Sequence, residues 1–363
     1  MNKIYKICFI LLISIISFLY IFIFAIKKNI SLSLKNKEEL LELKKYYLKK
    51  IVEIENVIKI KYYKTNYFFN EDTKINYNTN LDLFCQFINS VFQLADDIIN
   101  IVKVNITGIS FDMFTYKRND AVSTQITKRG YWELSDTKNL LSSLEYYNKK
   151  MKLSNNDISV LDIGANIGWF SILLGKKGYN IMSFEPSKTN YYILKRNYCL
   201  NPEINITIIN KALDIKDENC SLYHWKGNRG NGNLVCNPKN KAMNESQFII
   251  EKIEITRLSY YIPYLIDKNL ALIKIDIEGG EGHAIESGID LIIKYHIPFI
   301  FLEFTPRLLK SKGTDPKLFL ELFENNGYKI SIKDFLSKDY CQIEELMKKD
   351  QINIYIVYTK FLD

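Results

Sequence analysis

The residues most able to do chemistry are a glycine-containing turn and a set of acids at the ends of predicted strands. The turn reads Asp-Ile-Gly-Ala-Asn-Ile-Gly over 162–168 and follows a β-branched apolar strand. Gly164 and Gly168 permit a tight turn and close approach of a ligand, because no Cβ intervenes. Glu185 follows about 20 residues later, at the end of the next predicted strand, where a carboxylate can accept both hydroxyls of a ribose.

The composition of this turn distinguishes it from a dinucleotide site. Dinucleotide turns favour a third glycine, which lets a pyrophosphate lie against the helix N-terminus, whereas Trp-Phe-Ser follows Gly168 here. Asp162, before the turn, would repel a phosphate and attract an ammonium or sulfonium group. A ligand with ribose hydroxyls, a positive end and no phosphate is S-adenosylmethionine. The plainer interpretation, an ordinary strand–turn–helix unit, stays open because short glycine patterns arise by chance.

The sequence resembles the FkbM family of S-adenosylmethionine-dependent methyltransferases. The segments that carry the resemblance are Val160–Gly168, Phe184–Pro186, Asn210–Leu213, Ile273–Gly279 and Leu302–Phe304. The resemblance implies a class I methyltransferase fold and O-methylation of sugars or related hydroxyl compounds. The chain departs from the family after Glu281, where Gly282-His283 replaces the usual aliphatic residue.

A single cleft at the carboxyl ends of the strands is predicted, because ligands bind doubly wound sheets there. The strand-end acids are Asp162, Glu185, Asp276 and Glu303. Acids gathered in one crevice repel each other and require a positive guest or hydrogen-bond donors. We assign Asp162 to the methionine amine and Glu185 to the ribose. The other predicted cofactor contacts are Gly164, Ala165, Asn166, Gly168, Pro186, Ala212 and Leu213.

Methyl transfer depends on holding a hydroxyl against an activated methyl group, and a sugar hydroxyl gains from a base that takes its proton. The candidate bases are Asp276, Glu278, Glu281 and His283. Asp276 and Glu278 share one face of an extended strand end, and Glu281, at the start of the next helix, is the preferred base. A helix-surface position is favoured for His283 over a catalytic one. The ligand spacing requires no metal, and none is predicted.

Strands and helices alternate over 151–363, the segment that the resemblance identifies as the methyltransferase domain positioning these residues. Strands are expected near 158–163, 180–185, 205–210, 270–276, 297–303, 327–332 and 352–358, and helices at 166–176, 188–200, 280–294 and 306–325. This alternation indicates an α/β, doubly wound, mostly parallel seven-stranded Rossmann-like sheet. The resemblance implies that the last strand runs antiparallel between its neighbours.

Residues 81–150 are predicted to form an N-terminal cap of the catalytic domain, with a helix over 81–101 and a hairpin over 102–116. Trp132 and Glu133 are candidate contacts to cofactor or substrate, although a segment that only buries Trp132 is favoured.

A glycine-rich segment, 226–233, lies between hairpin-like strands. A disordered surface loop is favoured there over a mobile substrate flap that uses Trp225 and Arg229.

An uncharged apolar run extends from Ile7 to Ile26 between flanking lysines. About 20 residues at 1.5 Å each span the roughly 30 Å of a bilayer's hydrocarbon core. We therefore predict that 1–28 form a tip and a retained transmembrane anchor, in preference to a cleaved signal peptide, because no Ala-x-Ala site follows. Residues 29–80 are predicted as a helical stalk and linker. The apolar stripe of the stalk either pairs with a second copy, giving a homodimer, or packs on its own domain.

The net charge of +8 comes from 49 basic and 41 acidic residues that are interleaved along the chain. Without an aromatic-spaced basic patch, no nucleic-acid partner is predicted. Lysines after the anchor outnumber those before it, so charge counting favours a cytosolic body; a Golgi or ER lumenal body, suited to glycans, is the alternative.

Asn-x-Ser/Thr sequons and cysteines also bear on whether the catalytic body is cytosolic or lumenal. The sequons begin at Asn29, Asn105, Asn205, Asn219 and Asn244, and an asparagine-rich chain produces such patterns by chance. Asn205 begins a predicted core strand, so no glycan is expected there. The cysteines outside the anchor are odd in number and lack a Cys-x-x-Cys spacing, so no disulfide framework is implied.

The sequence therefore predicts a membrane-anchored S-adenosylmethionine-dependent O-methyltransferase that acts on a hydroxyl of a sugar or glycan-like acceptor. The alternative is a catalytically inactive methyltransferase-like module for membrane trafficking or scaffolding, which Gly282-His283 leaves open. A nicotinamide-dependent oxidoreductase is disfavoured by the missing third glycine.

Overall fold

The computed structural model describes Cys85 and residues 99–215, 220–236 and 247–363. The predicted anchor, stalk and linker, and most of the first cap helix, lie outside these residues. Among the described helices, none combines the length and apolar character needed to cross a bilayer.

The described strands and helices follow one another along the chain with short connections. The strands are β1 (Ile99–Ile106), β2 (Ile109–Tyr116), β3 (Ser159–Ile163), β4 (Asn180–Phe184), β5 (Ile206–Ile209), β6 (Ala212–Leu213), β7 (Cys220–Trp225), β8 (Asn228–Cys236), β9 (Phe248–Ile253), β10 (Ile255–Thr256), β11 (Leu270–Ile275), β12 (Phe299–Phe304), β13 (Tyr328–Ser331) and β14 (Ile352–Tyr358). The helices are α1 (Ala121–Arg129), α2 (Leu134–Met151), α3 (Trp169–Lys176), α4 (Lys188–Leu200), α5 (Ile262–Ile266), α6 (Glu281–Glu286), α7 (Asp290–Ile293), α8 (Pro306–Ser311), α9 (Pro316–Asn325), α10 (Ile343–Leu346) and α11 (Thr359–Leu362).

A seven-stranded sheet with the order β13-β14-β12-β11-β3-β4-β5 forms the centre of the domain. Only β14 opposes the other strands, pairing antiparallel with both β12 and β13. Strand β11, Leu-Ala-Leu-Ile-Lys-Ile, is buried along its whole length, as expected for a strand covered on both faces. The predicted doubly wound, mostly parallel sheet with an antiparallel last strand is confirmed.

Two predicted helices are each divided in the structure. The helix predicted over 280–294 becomes α6 and α7, separated near Gly288, where an added Cβ would lie 2.7 Å from Leu258 Cγ. The helix predicted over 306–325 becomes α8 and α9. Gly313 has a left-handed φ of 91° after α8, and Asp315 caps α9 by accepting from the backbone N–H of 317 and 318. Local capping signals therefore override the apolar periodicity.

The β1–β2 hairpin begins at Ile99, which pairs with Tyr116. The C-terminal end of the helix predicted over 81–101 is therefore wrong, because its last residues belong to a strand. Alternating burial along β1 and β2 places one face of this hairpin on the core.

The prediction of a disordered loop over 226–233 is also wrong. Most of this segment belongs to β8, which pairs antiparallel with β7 in a three-stranded sheet of order β8-β7-β9. Backbone ladder bonds, together with the small size of glycine, compensate for the low strand propensity of this sequence.

Two disulfides contradict the expectation of no disulfide framework. Cys85 is joined to Cys199 on α4, and Cys220 on β7 is joined to its register partner Cys236 on β8. Cys341 is the unpaired cysteine among those described and accounts for the odd number. Sequence separations of 114 and 16 residues gave no local signal for either pairing.

Candidate functional site

A cavity of about 760 Å³ opens at the carboxyl ends of the parallel strands, within the size range of small-molecule sites. It is lined by the turn after β3, the end of β4, the loop after β5, the acidic loop after β11 (residues 276–280), and β8. The predicted contacts that line it are Gly164, Ala165, Asn166, Glu185, Pro186, Ala212, Leu213, Asp276 and Glu278. The structure thus brings together residues that lie more than 100 positions apart in sequence.

The glycine turn is fixed by backbone contacts on two sides. The N–H groups of Gly164 and Ala165 donate to the carbonyl of Phe184 at 2.9 and 3.0 Å. Gly164 has φ of 79°, and an added Cβ would lie 1.9 Å from the carbonyl oxygen of Asp276. Glycine is required at 164 because the acidic loop crosses directly against the turn.

Gly168 has a different role, because it does not line the cavity. Its φ is 95°, and an added Cβ would lie 2.3 Å from Leu194 Cδ1 on α4. This glycine permits the start of α3 to pack closely against α4.

Glu185 is buried and lines the cavity. Its Oε2 accepts from the N–H of Asn166 at 2.7 Å, and its Oε1 accepts from the N–H of Ser187 at 2.8 Å. Burial raises the pKa of Glu185 to about 7, against the lowering effect of the two backbone donors. Each oxygen retains capacity for a further hydrogen bond, so the carboxylate can brace the turn and accept ribose hydroxyls together.

Asp162 does not line the cavity, and only 1% of it is exposed. Ser171 Oγ donates to its Oδ2 at 2.6 Å, and Lys274 Nζ lies 3.5 Å from its Oδ1. The structure therefore places Asp162 in a buried polar cluster outside the cavity lining. This position does not support the predicted contact with the methionine amine.

Lys274 was not predicted to have a role, although it is the single charged residue of the buried strand β11. Its Nζ donates to the carbonyl of Gly164 at 3.0 Å and lies 3.6 Å from Asp276 Oδ2. Burial opposes its charge, but the carboxylates of Asp276, Asp162 and Glu133 together raise the pKa of Lys274. The Lys274 ammonium thus offsets part of the repulsion among the neighbouring carboxylates. The sequence predicted that a cationic ligand would do so.

Glu278 lines the cavity from a left-handed backbone conformation, with φ of 56°, and Gly279 follows with φ of 95°. Such a conformation is uncommon for a residue with a side chain and marks a constrained loop. Burial, and then the charges of Asp276, Glu303 and Glu281, raise the pKa of Glu278 to about 8.

Glu281, the preferred base from the sequence, is 2% exposed and does not line the cavity. Its Oε1 accepts from the N–H of Ile277 at 3.1 Å and from the N–H of Gly279 at 3.2 Å. Burial raises the pKa of Glu281 to about 7, against these backbone donors. Its carboxylate therefore holds the acidic loop and lies outside the cavity lining.

The cap also supplies cavity residues, Trp132 and Glu133. Glu133 precedes α2 with a left-handed φ of 41°, and burial, then the charge of Asp276, raises its pKa to about 7. Across the cavity, Glu303 accepts from Gln351 Nε2 at 2.5 Å, and burial raises its pKa. The cap therefore does more than bury Trp132.

The departure at Gly282-His283 has a packing reason. A Cβ added to Gly282 would lie 2.2 Å from Thr314 Oγ1, so a larger residue would collide with the loop between α8 and α9. His283 lines the cavity, and its Nδ1 lies 3.2 Å from Asp214 Oδ2. The departure leaves the cavity intact.

The β7–β8–β9 sheet covers the glycine turn. A Cβ added to Gly230 on β8 would lie 2.9 Å from Asn166 Nδ2. Glu251 on β9 accepts from Ser187 Oγ at 3.1 Å and from the N–H of Lys188 at 2.7 Å, at the start of α4. Trp225 is 55% exposed and does not line the cavity, so the predicted use of this side chain in a flap gains no support.

A doubly wound sheet with a carboxylate-braced glycine turn and an acidic loop at the carboxyl end of β11 defines the class I methyltransferase architecture. Within that class, residues 162–330 match the family model described as the methyltransferase FkbM domain. The resemblance is confirmed. This segment, a little under half of the chain, is therefore similar to the S-adenosylmethionine-dependent methyltransferases of that family.

Among individual proteins, "Methyltransferase sdnD" of Sordaria araneosa is 30% identical, over 34% of this chain and 57% of that protein. The chain thus spans a little over half the length of this curated relative.

Two solved structures are similar over part of the chain. The 16S rRNA N2 G1207 methyltransferase (RsmC) of T. thermophilus, in complex with AdoMet and guanosine, is 12% identical, with a TM-score of 0.34 over 72% of this chain and 50% of that one. Monomeric WbdD is 13% identical, with a TM-score of 0.37 over 64% of this chain and 43% of that one. These similarities are too low to carry a functional argument.

Proposed function

We propose that the chain is an O-methyltransferase that uses S-adenosylmethionine to methylate a hydroxyl of a neutral sugar or glycan-like acceptor. The observation that carries this proposal is one cavity that joins the Glu185-braced turn to several carboxylates, those of Glu133, Asp276, Glu278 and Glu303. Carboxylates accept hydrogen bonds from the many hydroxyls of a sugar. The lining also contains Lys211, Lys274 and Lys312, but its acids outnumber them, so the cavity disfavours a phosphorylated or sulfated acceptor.

Glu278 is the residue best placed to take the proton of the acceptor hydroxyl. Asp276 lies 3.6 Å from Lys274, and Glu281 is committed to the backbone of its own loop. S-adenosylmethionine supplies the activated methyl group when bound. Because a cation in the cavity favours the ionised form of nearby carboxyls, the pKa of Glu278 falls from about 8 towards neutrality in the complex. Glu185 holds the ribose, and Lys274 forms an ion pair with Asp276.

We also propose that Ile7–Ile26 anchors the protein in a membrane, with the catalytic body in an oxidising compartment such as the ER or Golgi lumen. Support for the compartment comes from the Cys85–Cys199 and Cys220–Cys236 disulfides, since such bonds persist in oxidising surroundings and are rare in the cytosol. This proposal reverses the preference from lysine counting. Protease protection in sealed microsomes tests it: a body digested without detergent would contradict a lumenal location.

The catalytic proposal is tested by calorimetry and a labelled-methyl assay on the full chain in detergent. We expect binding of S-adenosylmethionine and S-adenosylhomocysteine, no binding of NAD, and label on neutral glycans in preference to their phosphorylated counterparts. Binding of NAD alone, or transfer to phosphorylated acceptors only, would contradict the proposal. Binding of S-adenosylmethionine without transfer to any fractionated glycan, lipid or protein would favour the scaffolding alternative.

A further inference from the structure

The β1–β2 hairpin presents a polar face to solvent at its turn. Alternation buries Val104 and Ile106 while Asn105 between them is exposed. Its register partner on β2, Ser110, is exposed as well. No hydrogen bond joins the side-chain amide of Asn105 to another described residue, and the side chain is exposed.

The turn of this hairpin has an unfavourable residue at its first position. Thr107 and Gly108 both have positive φ, of 49° and 74°, which is the type I′ pattern that favours Asn-Gly or Asp-Gly. A β-branched threonine is costly in this conformation. Thr107 is also the third residue of the sequon Asn105-Ile-Thr, where only serine or threonine is allowed. The turn therefore carries a residue that the sequon requires and the backbone disfavours.

We propose that Asn105 is a site of N-linked glycosylation on the exposed face of the β1–β2 hairpin. This inference rests on the lumenal location proposed above, because the disulfides and the glycan need the same kind of compartment. Asn205 is the other sequon asparagine among the described residues. It is exposed as well, but its side-chain amide donates to Asn180 Oδ1. Asn205 therefore supplies a matched control.

The test isolates the full chain from its source cells and maps peptides with and without peptide N-glycosidase. We expect glycosidase-dependent conversion of Asn105 to aspartate, retained in Thr107→Ser and lost in Asn105→Gln and Thr107→Asn. Because Thr107→Asn creates the favoured Asn-Gly turn, this variant should have a Tm equal to or above that of the deglycosylated parent, which excludes misfolding as the cause. Asn205→Gln should leave the modification of Asn105 unchanged.

An unmodified Asn105 in a chain whose Cys85–Cys199 bond has formed would overturn this inference and leave the lumenal location standing. An unmodified Asn105 in a chain with reduced cysteines would overturn both. Neither result bears on methyl transfer, which the labelled-methyl assay measures separately.

Discussion

The two sides of the cavity use buried glutamates in different ways. On the glycine-turn side, Glu185 both receives backbone hydrogen bonds and lines the cavity. On the acidic-loop side these tasks are divided, because Glu281 holds the loop while Glu278 lines the cavity. Burial raises the pKa of all three to about 7 or 8. A shifted pKa therefore does not by itself identify a catalytic base. The backbone donors mark Glu281 as the residue that holds the loop and leave Glu278 as the proposed base.

The largest expected effect comes from Glu278→Gln, which keeps the size of the side chain and removes its ability to take a proton. Loss of a general base typically lowers turnover by about 10² to 10⁴. We expect kcat to fall in this range while the Kd of S-adenosylmethionine changes by less than about threefold, since the ribose contact is untouched. Single-turnover transfer of labelled methyl, with calorimetric Kd values beside it, measures both quantities. A variant with parental kcat would remove Glu278 from the chemistry.

On the glycine-turn side, Glu185→Ala should weaken cofactor binding by about 1 to 3 kcal/mol, a factor of roughly 5 to 150. The cause is loss of the ribose acceptor together with the brace on the Asn166 N–H. Glu185→Gln, which keeps one acceptor oxygen, should lie between the alanine variant and the parent. Calorimetric titration with S-adenosylhomocysteine is the measurement. Unchanged affinity would show that the ribose lies elsewhere.

Variants of Glu281 test directly whether this residue holds the acidic loop or takes the proton of the acceptor. Glu281→Ala should lower the free energy of unfolding by about 1 to 3 kcal/mol, because the N–H groups of Ile277 and Gly279 lose their acceptor. Glu281→Gln retains an acceptor oxygen and should preserve both folding and turnover. Urea unfolding and steady-state assays of the two variants provide the data. A stable but inactive Glu281→Gln would return this residue to the proton-transfer role.

A smaller effect is expected in the pH dependence of stability. The folded-state pKa of Glu278 is raised from its ordinary 4.5 to about 8, so the native state binds more protons than the unfolded state between these values. The free energy of unfolding therefore falls as pH rises through this window. Glu278→Gln should be more stable than the parent at pH 8 by about 1 kcal/mol or more, with a smaller difference near pH 5. Urea midpoints of the parent and of Glu278→Gln at both pH values test the sign of this difference. A parent that loses stability relative to Glu278→Gln as the pH falls from 8 to 5 would contradict the prediction.

Much of the fold could be predicted, because its signals are local. The apolar strands, the glycine turn and Glu185 at the end of β4 follow from residue type and spacing, and the structure places them together. The buried β11 lysine, Lys274, was visible as an anomaly in an apolar run, but its partners come from β3 and from the acidic loop. Such pairings depend on tertiary contacts that no spacing encodes.

The roles within the acidic loop could not be read from sequence for a related reason. Extended geometry would place Asp276 and Glu278 on one face and leave Glu281 at the following helix start. The positive φ of Glu278 and Gly279 instead turns the loop back, so that Glu281 meets the backbone N–H groups of Ile277 and Gly279. Two successive left-handed residues thus bury Glu281 against the loop backbone and leave Glu278 in the cavity lining.

The pH dependence of single-turnover methyl transfer, compared among the parent, Glu278→Gln and Glu281→Gln, tests the central claim most directly. We expect the parent rate to rise with pH through the pKa of Glu278 in the complex and then level off, Glu281→Gln to follow the same curve, and Glu278→Gln to be slow without that rise. A rise that persists in Glu278→Gln and disappears in Glu281→Gln would contradict the assignment of base and clamp.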